Sequence, residues 1–102
     1  MSPEQLQRAE REQTRWRILV TLDAGRPTPV SEHLLLQVLG DIKLSATPAS
    51  LRRELDYLES RKLIEIERTP YNTWLAELTR LGVDVVEYTV PCEPGIARPV
   101  RG

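Results

Sequence analysis

An α+β fold, mainly helical, is predicted by three features of the sequence. Apolar residues recur at helical spacing through most of residues 3–62, the period changes to two at Leu63, and Thr69-Pro70-Tyr71-Asn72 divides the alternating run into two strands. The expected architecture is a three-helix core, a two-stranded hairpin and a short C-terminal helix in a single domain at 1–88, followed by a Pro-rich tail at 89–102. A chain of 102 residues, 40% of them hydrophobic, fills one modest core but not two.

The first helix starts at Ser2-Pro3-Glu4-Gln5, where Ser2 caps, Pro3 suits the first helical position and Gln5 completes a capping box. No breaker follows until Gly25. Leu6, Ala9, Trp16, Leu19, Val20 and Leu22 make its apolar set, densest after Trp16, so the second half is the part pinned to the core. Pro27 and Pro29 then bar a helix interior and leave room for a short extended segment. A second helix runs from about Ser31 with Leu34, Leu35, Val38 and Leu39 inward, and Gly40 is its stop or weak point.

Thr47-Pro48 is a cap followed by proline at the first position of a third helix, which ends near Lys62. Leu51, Leu55 and Leu58, at i, i+4 and i+7, form its buried face. In the strands, Ile64 and Ile66 alternate with Glu65 and Glu67, and Trp74, Ala76 and Leu78 alternate with Thr73, Leu75 and Glu77. Trp74 is therefore expected in the core. Thr79 caps a short helix carrying Leu81, Val85 and Tyr88, although Val83, Val85 and Val86 leave a strand open there. The tail holds Pro91, Pro94, Gly95 and Pro99 without an apolar period, and is expected to be extended or disordered.

Several function classes are excluded on composition and motif. The net charge is −1, where a strong non-specific nucleic-acid binder carries a basic excess. Cys92 is the only cysteine and lacks clustered histidines, so neither an intrachain disulfide nor a metal site is expected. His33 is the only histidine and reads as a surface or half-buried residue. No Gly-rich phosphate loop, nucleophile motif or paired acidic site is present, which argues against an enzyme and against a cofactor. No apolar run reaches the roughly 20 residues of a membrane helix, and no secretory signal pattern opens the chain; a cytoplasmic location follows as the expectation.

The order helix, extended segment, helix, turn, helix, hairpin, helix over residues 16 to about 88 resembles the winged helix-turn-helix superfamily, in particular small stand-alone bacterial or phage and prophage proteins. The stretch from Thr47 to Ile64 is similar to the recognition helix of such domains and the "Leu, two residues, Leu, basic turn, Leu-Ile" passage into the wing. Trp74 to Gly82 is similar to the returning wing strand and the "Leu-Thr-x-x-Gly" start of the next helix. The linker at 41–46 is longer than the tight turn common in the family. The resemblance implies a DNA-binding protein, a small transcriptional regulator, whose third helix reads the major groove of double-stranded DNA.

With the three leucines inward, the opposite side of the third helix centres on Arg53, with Ala49, Ser50, Tyr57 and Ser60 around it and Arg52 on the flank. Arginine there can donate twice to guanine O6 and N7, serine can reach a base or phosphate, and alanine can sit against a thymine methyl. On the wing, Arg68, Tyr71 and Asn72 are the candidates for a minor groove or phosphate. Glu54, Asp56 and Glu59 on the same helix, and Glu65 and Glu67 on the first strand, support a different reading. In that reading the arginines are a solvated, self-balanced surface, and the winged helix is a protein-interaction module in a phage or replication assembly.

The first helix carries two further patterns. Arg8, Arg11 and Arg15 share one stripe at i, i+3 and i+7, a spacing that suits a phosphate backbone, but Glu4, Glu10 and Glu12 interleave with them, so a solvated, self-paired surface is the expectation. Leu6, Ala9, Gln13, Trp16 and Val20 make a narrow seam, suited either to a homodimer through this helix or to covering the domain's own core.

Overall fold

Ser2 starts helix α1 (Pro3–Gly25) by a reciprocal cap. Its hydroxyl accepts from the Gln5 amide at 3.2 Å, and the Gln5 side chain accepts from the Ser2 amide at 2.8 Å. The computed structural model describes residues 1–101. At 1.5 Å per residue α1 is about 34 Å long, and only its second half is buried, through Thr14, Trp16, Ile18, Leu19 and Leu22. Ile18, outside the expected apolar set, is fully buried, while Leu6 is 51% exposed. Trp16 is taken up by the chain's own core, edge-on to Tyr88 with ring centroids 6.2 Å apart. Of the predicted seam, Leu6 and Gln13 are exposed and Ala9 is half-buried, whereas Trp16 belongs to the chain's own core.

After the cis Arg26–Pro27 bond the chain forms β1 (Val30–Ser31), and Ser31 then caps α2 (Glu32–Asp41) by accepting from Leu34 N at 3.2 Å. The helix passes through Gly40 and stops where Lys43 takes a left-handed conformation, with Leu44 N donating to Leu39 O at 2.9 Å. Leu35 and Leu39 are buried, whereas Leu34, expected inward, is 50% exposed. Helix α3 (Pro48–Ser60) buries Leu51, Leu55 and Leu58 completely, as their spacing requires.

Strands β2 (Ile64–Arg68) and β3 (Trp74–Leu78) pair antiparallel, with Ile64 opposite Leu78, Ile66 opposite Ala76 and Arg68 opposite Trp74. β1 adds to the other edge of β3, giving the order β1-β3-β2. Helix α4 (Arg80–Val86) is a helix despite its three valines because Thr79 joins it to the hairpin. The Thr79 hydroxyl accepts from Gly82 N at 3.1 Å and donates to Lys62 O at 2.7 Å, while Thr79 N donates to Leu63 O at 3.0 Å. The result is an α+β fold, mainly helical, with a three-stranded antiparallel sheet.

The tail departs from expectation. Residues 89–101 form neither helix nor strand, yet Ile96 is 8% exposed within the core cluster, and Val90 and Cys92 pack against it. Ala97 N donates to Glu12 O at 3.1 Å, and Arg98 Nη1 donates to Val85 O and Val90 O, each at 2.9 Å. These contacts are made by main-chain groups and a few well-placed arginines, which leave no periodic trace in a sequence. The segment packs as part of the same unit as α1 and α4.

Candidate nucleic-acid interface

Thr47 and Ser50 close the N-terminus of α3 with a second reciprocal cap, at 3.0 Å from Ser50 N to the Thr47 hydroxyl and 2.9 Å from Thr47 N to the Ser50 hydroxyl. Ser50 Oγ also donates to Thr47 O at 3.2 Å. The hydroxyl expected to reach a base is thus already engaged. Past the cap, α3 lies between α1 on one flank and the hairpin on the other.

On the α1 flank Arg15 is the hub. Its Nε donates to Glu54 Oε1 at 2.7 Å, its Nη1 donates to Gly95 O at 2.9 Å, and its guanidinium carbon sits 3.7 Å from the Tyr57 ring centroid. Tyr57 also meets Arg61, which donates to its hydroxyl and, at 3.0 Å, to Pro94 O. The predicted groove residue Tyr57 is therefore half-buried in this stack.

On the hairpin flank Arg52 does the equivalent work. Its Nε and Nη2 donate to the two Glu32 carboxylate oxygens at 2.8 and 2.7 Å, and Nη2 and Nη1 reach Asn72 O and Oδ1 at 2.9 and 3.4 Å. Asn72 presents these atoms from a left-handed turn conformation that asparagine tolerates. Arg68 Nη2 donates to Asp56 Oδ1 at 2.8 Å and to Glu59 Oε1 at 3.1 Å. Trp74, expected in the core, is half-buried, with the guanidinium carbons of Arg52 and Arg68 each 4.4 Å from its ring centroid.

These pairings shift the local proton affinities. The Arg52 hydrogen bonds hold the Glu32 carboxyl below the usual range; burial opposes this, and the Trp74 amide, donating to Oε2 at 2.7 Å, reinforces it. Glu32 and Glu59, the carboxylates that hydrogen-bond them, raise the Arg52 and Arg68 guanidinium values in turn.

What remains outward on α3 is a ridge of Ala49, Arg53, Asp56 and Ser60, all exposed. Among the described residues Arg53 makes no ion pair, whereas Glu54, Asp56 and Glu59 are all held by arginines from other elements. Tyr71 stands 73% exposed at the hairpin turn. Of the predicted contact residues, Ala49, Arg53 and Tyr71 are presented to solvent, while Ser50, Arg52, Tyr57, Arg68 and Asn72 are occupied within the fold. Sequence reasoning missed Glu32 and Arg15 as organisers, since neither periodicity nor spacing marks partners 20 and 39 positions away.

Elsewhere the chemistry is sparse. His33 is exposed in the first turn of α2, and no group of three His, Cys, Asp or Glu suited to a metal occurs among the described residues. Burial pushes the Cys92 thiol up, which disfavours the reactive thiolate. No described helix is long and apolar enough to cross a membrane.

No family model matches the chain, nor does any curated protein or solved structure. The class is defined by the fold and the site alone: a mainly helical α+β domain in which an arginine-bearing helix is braced between a long helix and a β-hairpin.

Proposed function

We propose that the chain is a winged helix-turn-helix protein that binds double-stranded DNA, a small transcriptional regulator in which α3 enters the major groove and the β2–β3 hairpin serves as the wing. One observation carries the reading. The carboxylates that would repel phosphate from α3 are bonded to arginines of α1 and β2, while Arg53, at the centre of the outward ridge, forms no ion pair among the described residues. In a groove Arg53 would donate to guanine O6 and N7, with Ala49 against a thymine methyl and Tyr71 reaching the flanking backbone or minor groove. Arg52, Arg68 and Asn72 lock the wing to α3 and set its angle; their role is positional.

A second reading, a protein-interaction module, draws support from the same pairings. With Arg52 and Arg68 held by Glu32, Asp56 and Glu59, the ridge presents, among the described residues, Arg53 without an ion pair beside the exposed Asp56. The two readings separate in a fluorescence-anisotropy titration of the full chain against a randomised duplex pool at two salt concentrations. DNA binding predicts an affinity that falls steeply with salt, and Arg53→Ala then loses roughly ten- to a hundredfold on the preferred site with relaxed choice at one base pair. Absence of binding at low salt would transfer the assignment to the protein-interaction reading.

A further inference from the structure

Helix α1 extends beyond the core along the same side as α3, and an open cleft of about 360 Å³ lies between them, lined by Arg11, Arg15, Arg53, Glu54 and Tyr57. A second cleft of about 400 Å³ shares Arg11, Arg53 and Glu54 and adds Glu10 on its α1 wall. The sequence alone suggests that the charges of α1 cancel one another. The structure separates them: among the described residues neither Arg8 nor Arg11 forms an ion pair, and Arg15 reaches across to Glu54 instead of to its own helix.

That single cross-link orients the whole stripe. Residues four and seven positions before Arg15 lie on the same helical face, so anchoring Arg15 against α3 turns Arg11 and Arg8 to the α3 side. In the first cleft three guanidinium groups meet one carboxylate, which Arg15 already holds at 2.7 Å. Arg11 on α1 and Arg53 on α3 face this cleft from opposite walls, neither in an ion pair among the described residues, and Glu10 lines only the adjoining cleft. An open, polar, cationic cleft suits an oxyanion that keeps part of its hydration, and a guanidinium matches two phosphate oxygens at once.

We infer that Arg11 is a phosphodiester-binding residue: α1 lies along the DNA strand flanking the groove that α3 enters, with Arg11 seating a backbone phosphate beside the base read by Arg53. Arg8, one turn earlier on the stripe, continues the cationic line. The inference rests on the DNA-binding reading above, but its signature differs, because a phosphate contact contributes affinity and salt dependence without choice of sequence.

The test is an anisotropy titration of the full chain on two duplexes of unrelated sequence over roughly 50–200 mM salt, comparing the parent with Arg11→Ala, Arg11→Lys and Arg53→Ala. Arg11 is exposed and both replacements are good helix formers, so the fold should survive. Arg11→Ala is expected to weaken binding equally on both duplexes and to reduce the slope of log affinity against log salt by about 1. Arg11→Lys is expected to recover most of that slope. If the parent binds and Arg53→Ala weakens it while Arg11→Ala leaves affinity and slope unchanged, the inference is overturned and the DNA-binding reading stands. An Arg11→Ala loss confined to one duplex would also overturn it, by marking a base contact. A parent chain that binds neither duplex at low salt removes both.

Discussion

Arg52 and Glu32 meet through two parallel hydrogen bonds, at 2.8 and 2.7 Å, and the same carboxylate accepts the Trp74 amide at 2.7 Å. One side chain at the start of α2 thereby joins α3 to β3, and Arg52 carries the link on to the turn at Asn72. Glu32 is only 3% exposed, so water replaces little of what is lost when it is removed.

Glu32→Ala is therefore expected to cost about 2 kcal/mol in urea unfolding and to loosen the hairpin, visible as faster amide exchange at Trp74. Glu32→Gln, which keeps an acceptor for that amide, should cost less. The pH dependence has a defined sign. Because the folded state holds the Glu32 carboxyl below its ordinary value, the unfolded chain binds the proton first. The stabilisation is complete above the ordinary carboxylate range and is lost as pH falls through the lowered folded value. Urea midpoints measured from neutral pH downward should drop more steeply for the parent than for Glu32→Gln; parallel curves would contradict the assignment.

Gly82 has a packing reason to be glycine. A Cβ there would run into the Leu63 carbonyl oxygen, which already accepts from Thr79 N, and would press on the Leu78 side chain at 3.1 Å. The Leu63 carbonyl is backbone and cannot yield as the Leu78 side chain could. Gly82→Ala should destabilise by about 1–3 kcal/mol, read from thermal or urea unfolding, whereas Gly40→Ala, where an added Cβ meets nothing within 4 Å, should be neutral or mildly stabilising.

Gly95 tests the tail. Its φ of 106° is a conformation open to glycine, and a Cβ would strike the Tyr57 hydroxyl. Its carbonyl meanwhile accepts from Arg15 at 2.9 Å. Gly95→Ala should release residues 93–98 from α1 and α3 while leaving the helical core folded. Limited proteolysis should show new cleavage after Arg98, with far-UV circular dichroism unchanged; unaltered protection would contradict the role assigned to this turn.

The helices and strands were legible in the sequence because their causes are local. Ser2, Ser31, Thr47 and Thr79 cap the helices from positions three residues before the amides they accept, and Leu51, Leu55 and Leu58 are fully buried at helical spacing. The switch to period two fixes which face of the hairpin is covered, and the register of Ile66 with Ala76 follows it. Candidate contact residues were legible only as types: the arginines of α3 were visible, but not which of them would remain free. That was decided by Glu32 from α2 and by Arg15 and Arg68, which reach α3 from α1 and β2. The packing of the tail was decided the same way, by main-chain carbonyls that any sequence possesses. Local hydrogen bonds and periodic burial are written into neighbouring residues; charge pairing and irregular packing depend on which distant groups the completed fold brings within about 3 Å of one another.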